Sequence, residues 1–363
     1  MIDISHQGNA QIIQNPETKS HTFITARYHY GIVVPHHTSM AYLIEDFSQG
    51  FELTYGKSTY GKDNWEKYFN YPEIGFGFYY GTFGNKDIYG DGYALFPYVN
   101  FNIYRTHRFD AHYKVSLGIG YATKPFRIDN NIYNSVFGSH LNAYVGFGLM
   151  LDYRIINKLS LSAAMSLNHM SNGGIKKPNN GINTATISIG TKYHFNDATI
   201  LPSLKHQTPS DHSKEILITG FLGNNQGASF VSNTYWSGGI SACHLWHNTV
   251  KRAFGLGIDL MYFGGAPYLY FQENEKASYG FRDHFYSGIF MAYHKYLGRT
   301  MMYLNLGAYI HQHLKPAQPI YPRVGIRYQI TERLLGHFGI KANFFTAEYL
   351  EFGLGYRIPY KSN

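Results

Sequence analysis

Residues 159–195 read LSLSAAMSLNHMSNGGIKKPNNGINTATISIGTKYHF, and their alternation of apolar and polar residues decides the fold. Every second residue from Leu159 to Ser171 lies on one face that is mostly apolar, and the residues between them are mostly Ser, Ala or Asn. This period of two is typical of a β-strand with one apolar face. His169 and Ser171 share that face. After a Gly- and Asn-rich loop, the alternation resumes and places Asn183 on the same face of the next strand.

The composition indicates that such strands form a transmembrane barrel. The chain of 363 residues has 34 Tyr, 26 Phe and 38 Gly, and its aromatic content of 17% exceeds its charged content of 15%, which is unusual for a soluble domain. We find no run of about 18 apolar residues that would predict a membrane-spanning helix. Alternating segments of about ten or more residues, separated by turns, are typical of transmembrane β-barrels.

Sixteen segments with this alternation predict an all-β fold, a transmembrane antiparallel β-barrel of about sixteen strands. Several segments have twelve or more residues, whereas strands in soluble folds average about 5–6 residues. Fourteen strands, or two separate barrels, are alternatives that the pattern leaves open. The predicted strands cover residues 22–34, 47–58, 72–83, 90–105, 110–123, 139–155, 158–171, 182–195, 214–222, 234–248, 253–263, 282–296, 300–312, 321–331, 334–346 and 348–359.

The lengths of the connections orient the predicted barrel, because outer-membrane barrels have short periplasmic turns and long external loops. Short turns recur, for example at residues 106–108 and 331–333, and they alternate with long connections such as 124–138 and 172–181. We therefore expect residues 172–181 on the extracellular side. An even number of strands then places both termini in the periplasm.

The remaining segments complete the predicted domain organisation. The polar, aperiodic residues 1–20 are predicted to be a periplasmic tail, and residues 21–363 are predicted to be a single outer-membrane barrel. Within this barrel, the linker 197–213 separates a first group of strands at 21–196 from additional strands at 214–359. A barrel of this type must be exported, and no signal peptide is visible at the N-terminus. We therefore expect that the signal peptide has been removed.

The net charge and the Cys and His residues indicate which ligands and partners the chain can bind. The formal net charge of +8 suits nucleic acid or an anionic lipid surface, and the absence of a nucleic-acid-binding motif favours membrane lipids. The single Cys243 excludes an internal disulfide framework. The His residues, including the pair His36 and His37, show no reliable metal-ligand spacing. We expect no metal and no cofactor.

The segment HMSNGGIKKPNNGIN at residues 169–183 resembles the lipid A 3-O-deacylase (PagL-type) family, also known as acyloxyacyl hydrolases. The family's pattern is His-x-Ser-Asn on one strand, then a Pro-Asn-x-Gly loop, with an acidic residue soon after. The resemblance is sharp in this segment and diffuse over residues 72–196, and the last eight strands have no counterpart in those small barrels. The residues that match by type and spacing are His169, Ser171, Asn172, Pro178, Asn179 and Gly181.

The resemblance implies an outer-membrane enzyme that cleaves an ester-linked acyl chain from lipid A. Ser171 would be the nucleophile and His169 the base that deprotonates it. Where the family carries its acid, this chain has Asn183, which would orient the imidazole through its side-chain oxygen. An amide orients an imidazole but does not stabilise the imidazolium as a carboxylate does.

The loop supplies the other candidate site residues. Donors for the oxyanion would come from Asn179 and from the backbone N–H groups of Asn172 and Gly173. Lys176 and Lys177 would lie near the lipid headgroups and contact the phosphates of lipid A. The expected partners are therefore the lipopolysaccharide of the outer leaflet and the surrounding membrane lipids.

A second hypothesis is a catalytically weak or inactive barrel that serves as a channel, or as a subunit of an outer-membrane protein complex. The replacement of the family's acid by Asn183 favours it, and so do the additional strands at 214–359. Inward Tyr and Arg side chains that fill the lumen would argue against a channel.

Overall fold

The computed structural model describes residues 21–196, 208–227, 233–269, 279–314, 316, 318–344 and 346–360. The predicted tail at 1–20 and most of the predicted linker lie outside them. Within the described residues, sixteen antiparallel strands confirm the predicted all-β class and strand number. They are β1 Thr22–Val33, β2 Ser48–Ser58, β3 Glu73–Thr82, β4 Asp91–Arg105, β5 Phe109–Ala122, β6 Leu141–Ile156, β7 Leu159–Ser171, β8 Ile182–His194, β9 Lys214–Gln226, β10 Thr234–Thr249, β11 Arg252–Phe263, β12 Phe285–Leu297, β13 Thr300–Gln312, β14 Ile320–Gln329, β15 Leu334–Asn343 and β16 Thr346–Tyr360.

In the described residues, helical structure is confined to short segments in the connections. None of the helices in the described residues is long and apolar enough to cross a membrane. The helices are α1 Thr38–Ala41, α2 Asn64–Tyr68, α3 Ala266–Leu269 and α4 Phe281–His284.

The strands close into two barrels of eight strands each, which corrects the expectation of one continuous barrel over residues 21–363. Strand β1 pairs with β8, with Phe23 opposite His194, and β16 pairs with β9, with Phe352 opposite Leu222. An interior formed by eight strands is just wide enough for side chains to fill it. The inward residues of this chain are large, and they are therefore compatible with two narrow barrels.

The alternation along the strands separates an apolar outer face from a polar inner face, as predicted. On β7, Leu161 and Leu167 are 42% and 58% exposed, and Ser162 is fully buried. On β8, Ile187 and Ile189 are 62% and 59% exposed. The hydroxyl of Ser162 accepts a hydrogen bond from Arg27 across the lumen at 3.1 Å. The exposed apolar residues therefore form the surface that faces lipid.

Buried ion pairs fill the interior of the first barrel. The carboxylate of Glu52 binds both Arg27 and Lys114. Lys192 lies 2.6 Å from Glu73 and 3.0 Å from Asp152. Buried charges of this kind are stable only when they are paired. Polar side chains therefore connect opposite walls of this barrel, beside a cluster of buried apolar and aromatic side chains.

The second barrel has a similar interior. Arg323 forms ion pairs with Asp259 at 2.8 Å and with Glu351 at 3.0 Å. The aromatic ring of Tyr321 lies in the same interior, and its hydroxyl donates to Asp259 at 2.7 Å. Lys341 pairs with Glu348 near the end of the barrel that carries the long loops. The described part of this lumen is therefore also filled by inward side chains.

The two barrels lie side by side, with their short turns at the same end. At that end, the Lys251 ammonium donates to the backbone oxygen of Tyr68 at 2.9 Å. Further along the contact, the Lys295 ammonium donates to the Tyr113 hydroxyl at 3.2 Å and lies 4.3 Å from the centre of the Phe101 ring. At the opposite end, the loop between β7 and β8 contacts the second barrel.

Candidate active site

His169 and Asn183 face each other across the β7–β8 hairpin. The two residues are direct partners in the antiparallel register. His169 Nδ1 lies 2.7 Å from Asn183 Oδ1. Because the amide oxygen can only accept a hydrogen bond, Nδ1 of the imidazole carries the proton and donates it. The other ring nitrogen, Nε2, is therefore left with a free lone pair.

Ser171 ends β7 two residues beyond His169, and it is 6% exposed. Gly181 closes the site over both residues. A Cβ atom placed on Gly181 would lie 2.8 Å from His169 Cε1 and 2.9 Å from Ser171 Cβ, and Gly181 has a φ of +72°. Glycine fits this position because it tolerates the left-handed backbone and lacks a Cβ. His169 and Ser171 are therefore close neighbours beneath the returning loop.

The hydrogen bonds of Ser171 involve the loop rather than His169. The Gly173 N–H donates to Ser171 Oγ at 3.4 Å. Among the described residues, His169 and Ser171 share no hydrogen bond. Catalytic hydrogen bonds are often formed only when substrate is bound. Of the three predicted oxyanion donors, the Gly173 N–H is the one that the structure places beside the Ser171 hydroxyl.

Asn172 and Asn179 hold the loop in shape. The Asn172 N–H donates to Asn179 Oδ1 at 2.9 Å. The side-chain amide of Asn172 donates to Ser139 Oγ at 2.9 Å and to the Lys176 backbone oxygen at 2.7 Å. The backbone N–H of Asn172, which was expected to bind an oxyanion, is therefore already used inside the loop, and so is its side-chain amide.

The two lysines of the loop have different environments. Lys176 is exposed, which is compatible with the predicted contact to a phosphate. The Lys177 ammonium instead donates to the backbone oxygen of Gly227 in the second barrel at 3.1 Å. Burial lowers the pKa of this ammonium, and the nearby carboxylate of Glu348 opposes the shift. Lys177 is therefore a contact between the barrels, and its expected contact with a lipid A phosphate stays a prediction.

The second barrel supports the loop that carries the site. The Gln226 N–H donates to the Gly174 backbone oxygen at 3.1 Å, and the Lys177 N–H donates to the side-chain oxygen of Gln226 at 2.8 Å. A Cβ atom placed on Gly173 would lie 2.6 Å from the Leu350 side chain. This support has no signal in the sequence, because residues 214–359 resemble nothing in the small barrels.

The loop after β1 also contacts the site, next to the β7–β8 hairpin and the second barrel. The Val34 N–H donates to the Asn183 backbone oxygen at 2.9 Å, and His36 Nδ1 lies 3.2 Å from Asn183 Nδ2. The sequence analysis considered His36 and His37 only as metal ligands. In the described parts of the chain, no group of three His, Cys, Asp or Glu side chains could hold a metal ion. The contact between His36 and Asn183 has no signal in the local sequence.

Comparisons with protein families divide the chain into the same two parts as the strand pairing. Residues 49–192 match the model described as lipid A 3-O-deacylase (PagL). Residues 214–361 match the model described as acyloxyacyl hydrolase, C-terminal domain. Each match falls on one of the two barrels. No curated protein matches the sequence.

The chain also resembles several solved structures. The chain is 16% identical to the outer membrane enzyme PagL, with a TM-score of 0.33, and the match covers 47% of this chain and 98% of that one. It is 14% identical to Pseudomonas aeruginosa OccK11 (OpdR), with a TM-score of 0.24 and coverage of 94% and 96%. A triple mutant of the Rhodopseudomonas blastica porin is 10% identical, with a TM-score of 0.18 and coverage of 94% and 99%.

Proposed function

Because this chain belongs to the lipid A 3-O-deacylase (PagL) family, we propose that it hydrolyses an acyl ester of lipid A at the outer leaflet by a Ser/His mechanism. The family places the protein in the outer membrane and indicates a hydrolase that acts on lipid A esters. The observation that carries the proposed mechanism is the 2.7 Å hydrogen bond between His169 and Asn183. It leaves Nε2 of His169 without the proton, so that this nitrogen can act as a base for the neighbouring Ser171.

In the first half of the reaction, His169 Nε2 takes the proton of the Ser171 hydroxyl as Oγ attacks the ester carbonyl. The negative charge that forms on the carbonyl oxygen is stabilised by the Gly173 N–H. His169 then gives its proton to the departing sugar oxygen, and the acyl chain remains as an ester on Ser171. This sequence is that of other serine hydrolases with a histidine base.

In the second half, water enters and His169 acts again as the base. Hydroxide attacks the acyl ester, the fatty acid leaves, and the proton returns to Ser171 Oγ. Asn183 holds the ring in position throughout but carries no charge. In a serine protease, replacing the corresponding Asp by Asn lowers the rate about 10⁴-fold. We therefore expect slow turnover.

The outer surface of the first barrel offers a place for the acyl chains of the substrate. An apolar groove lies on β6, β7, β8 and β1, and its lining includes Ala163 and Met165 on the strand that leads to His169. Leu149 and Ile187 also line it. A lipid in the membrane can therefore reach the site along the barrel wall without leaving its apolar surroundings. The proposed orientation places this site and the long loops outside, and both termini in the periplasm.

A second candidate function is a non-catalytic subunit of an outer-membrane complex. The replacement of the family's acid by Asn183 favours this alternative. The ion pairs of Glu52 and of Arg323, which cross the two lumens, disfavour the channel that the sequence analysis also considered.

Mass spectrometry of lipid A tests the proposed function in cells. We expect that lipid A from cells expressing the protein lacks one ester-linked acyl chain in part of the molecules. Cells expressing Ser171→Ala at the same level should retain the full set of chains. Full acylation in both strains would contradict the proposed hydrolase and favour the subunit.

A further inference from the structure

The site uses an amide where a carboxylate would have two equivalent oxygens. The side chain of Asn183 can present either its oxygen or its NH₂ group to His169. Only the oxygen accepts the Nδ1 proton of the imidazole. If the amide turned over, its NH₂ group would face Nδ1, and the ring would place its proton on Nε2, where the base is needed. The orientation of one amide therefore determines whether His169 can act.

His36 holds this amide from the side opposite His169. His36 Nδ1 lies 3.2 Å from Asn183 Nδ2, and His36 Nε2 lies 2.8 Å from the Asn180 backbone oxygen. A backbone oxygen only accepts, so Nε2 of His36 carries the proton of the neutral ring. Nδ1 is then an acceptor, and it accepts from the NH₂ group of Asn183. The two bonds of His36 are compatible with one orientation of the amide.

We propose that His36 is a positioning residue that keeps the Asn183 oxygen toward His169 and so fixes the tautomer of the catalytic base. The inference rests on the proposed function and extends it to the loop after β1. His36 donates to the Asn180 oxygen, Asn183 donates to His36, and His169 donates to Asn183. Each donor in this series faces an acceptor. A carboxylate at position 183 would not need this constraint, because both of its oxygens accept.

The surroundings of His36 suit a residue that acts only through its ring nitrogens. His36 is exposed, and the titratable groups that face it are His37, whose ring centre is 4.8 Å away, and His169 across the amide. The Val34 N–H anchors the same loop to the Asn183 backbone oxygen at 2.9 Å. The loop therefore stays attached when the His36 ring is replaced, and substitutions of His36 test the ring itself.

Two substitutions separate the acceptor from the ring. His36→Phe keeps an aromatic ring at this position and removes the nitrogen acceptor. We expect the rate of deacylation to fall about fivefold, which is the effect of losing one hydrogen bond. His36→Asn places an amide oxygen near the position of Nδ1, and we expect it to stay within about twofold of wild type, because one acceptor is retained. His37→Phe is the matched control, and its rate should equal that of the wild-type protein.

The same substitution in the Asn183→Glu protein shows whether His36 acts by orienting the Asn183 amide or by a general effect on the loop. In Asn183→Glu, the carboxylate has no wrong orientation, so His36→Phe should change the rate by less than about twofold. An equal loss from His36→Phe in both backgrounds, or no loss in either, would overturn the inference.

A spectroscopic measurement makes the inference independent of activity. In ¹⁵N-histidine-labelled protein in micelles, His169 should carry its proton on Nδ1 in wild type and in His36→Asn. In His36→Phe, part of the population should carry it on Nε2. The same tautomer in all three proteins would contradict the role of His36, even if no variant released fatty acid. Absent release with the expected tautomers would instead contradict the proposed function alone.

Discussion

At the level of single residues, the hydrogen bond between His169 and Asn183 determines which ring nitrogen of His169 can act as a base. The sequence analysis expected these two residues side by side, because the alternation on β7 and β8 places them on one face. The direct pairing of the two in the hairpin agrees with that expectation. The contact that orients Asn183 from behind could not be predicted, because His36 is 147 residues away in the chain.

Asn183→Glu is the most informative change at this site. The carboxylate keeps the acceptor for His169 Nδ1 and adds a charge that stabilises the imidazolium, so the rate should rise by up to about a few orders of magnitude. The measurement is the initial rate of fatty acid release from lipid A in detergent micelles. Asn130→Glu, in the exposed β5–β6 loop, adds the same charge away from the site and should leave the rate unchanged. A slower Asn183→Glu enzyme would argue against the assigned role of position 183.

The β7–β8 hairpin is the element that builds the site. Its strands were predictable to within a few residues because a period of two is visible in the sequence. Its loop was not predictable in detail. The sequence suggested that the Asn172 N–H and Asn179 would bind an oxyanion. In the structure the Asn172 N–H donates to the Asn179 side-chain oxygen inside the loop, and an oxyanion contact of Asn179 stays a prediction. An Asn that binds substrate and an Asn that holds a loop together have the same sequence pattern.

Gly181→Ala tests the packing of this element. The new methyl group would meet His169 and Ser171 at less than 3 Å, and the backbone would be strained at its φ of +72°. A displacement of about 1 Å at a reacting group can lower a rate about 10²-fold, so we expect a loss of at least tenfold. Gly220→Ala is the control, because no atom lies within 4 Å of the position of its Cβ. Equal rates for both variants and wild type would show that the loop does not set the geometry.

Two closed barrels, rather than one, define the molecule as a whole. Alternation is the same in both architectures, so the sequence pattern could not decide between them. The choice depends on which strands pair over long distances, such as β1 with β8. The one local signal was the size and charge of the inward residues, exemplified by Arg27 and Lys114, which eight strands can enclose and a wider barrel would leave in water.

Glu52→Gln tests whether the filled lumen stabilises the first barrel. The change leaves Arg27 and Lys114 buried without their carboxylate, which should lower the free energy of unfolding by about 3–5 kcal/mol. Unfolding by guanidinium in micelles, followed by tryptophan fluorescence, measures it. Asp87→Asn removes a fully exposed partner of Lys124, and its free energy of unfolding should equal that of the wild-type protein because solvent screens this ion pair. A stability equal to wild type for Glu52→Gln would contradict a role of these ion pairs in the fold.

The contact between the barrels predicts a role of the second barrel in catalysis. Gln226→Ala removes the acceptor of the Lys177 N–H, and we expect the rate to fall at least about fivefold, because the loop loses a partly buried hydrogen bond. Gln329→Ala is the control, since the hydrogen bonds of Gln329 are made by its backbone. The two variants should run as folded barrels on unheated gels. An unchanged rate for Gln226→Ala would show that this contact of the second barrel does not affect the reaction.

The central claim is that Ser171, activated by His169, attacks the ester. The direct measurement is the initial rate of hydroxy fatty acid release from lipid A vesicles by purified wild-type protein and by Ser171→Ala. We predict slow release by wild type and release at the background level by Ser171→Ala. His169→Ala should be nearly as inactive, because an unassisted serine hydroxyl is a poor nucleophile. Release by Ser171→Ala at the wild-type rate would contradict the account.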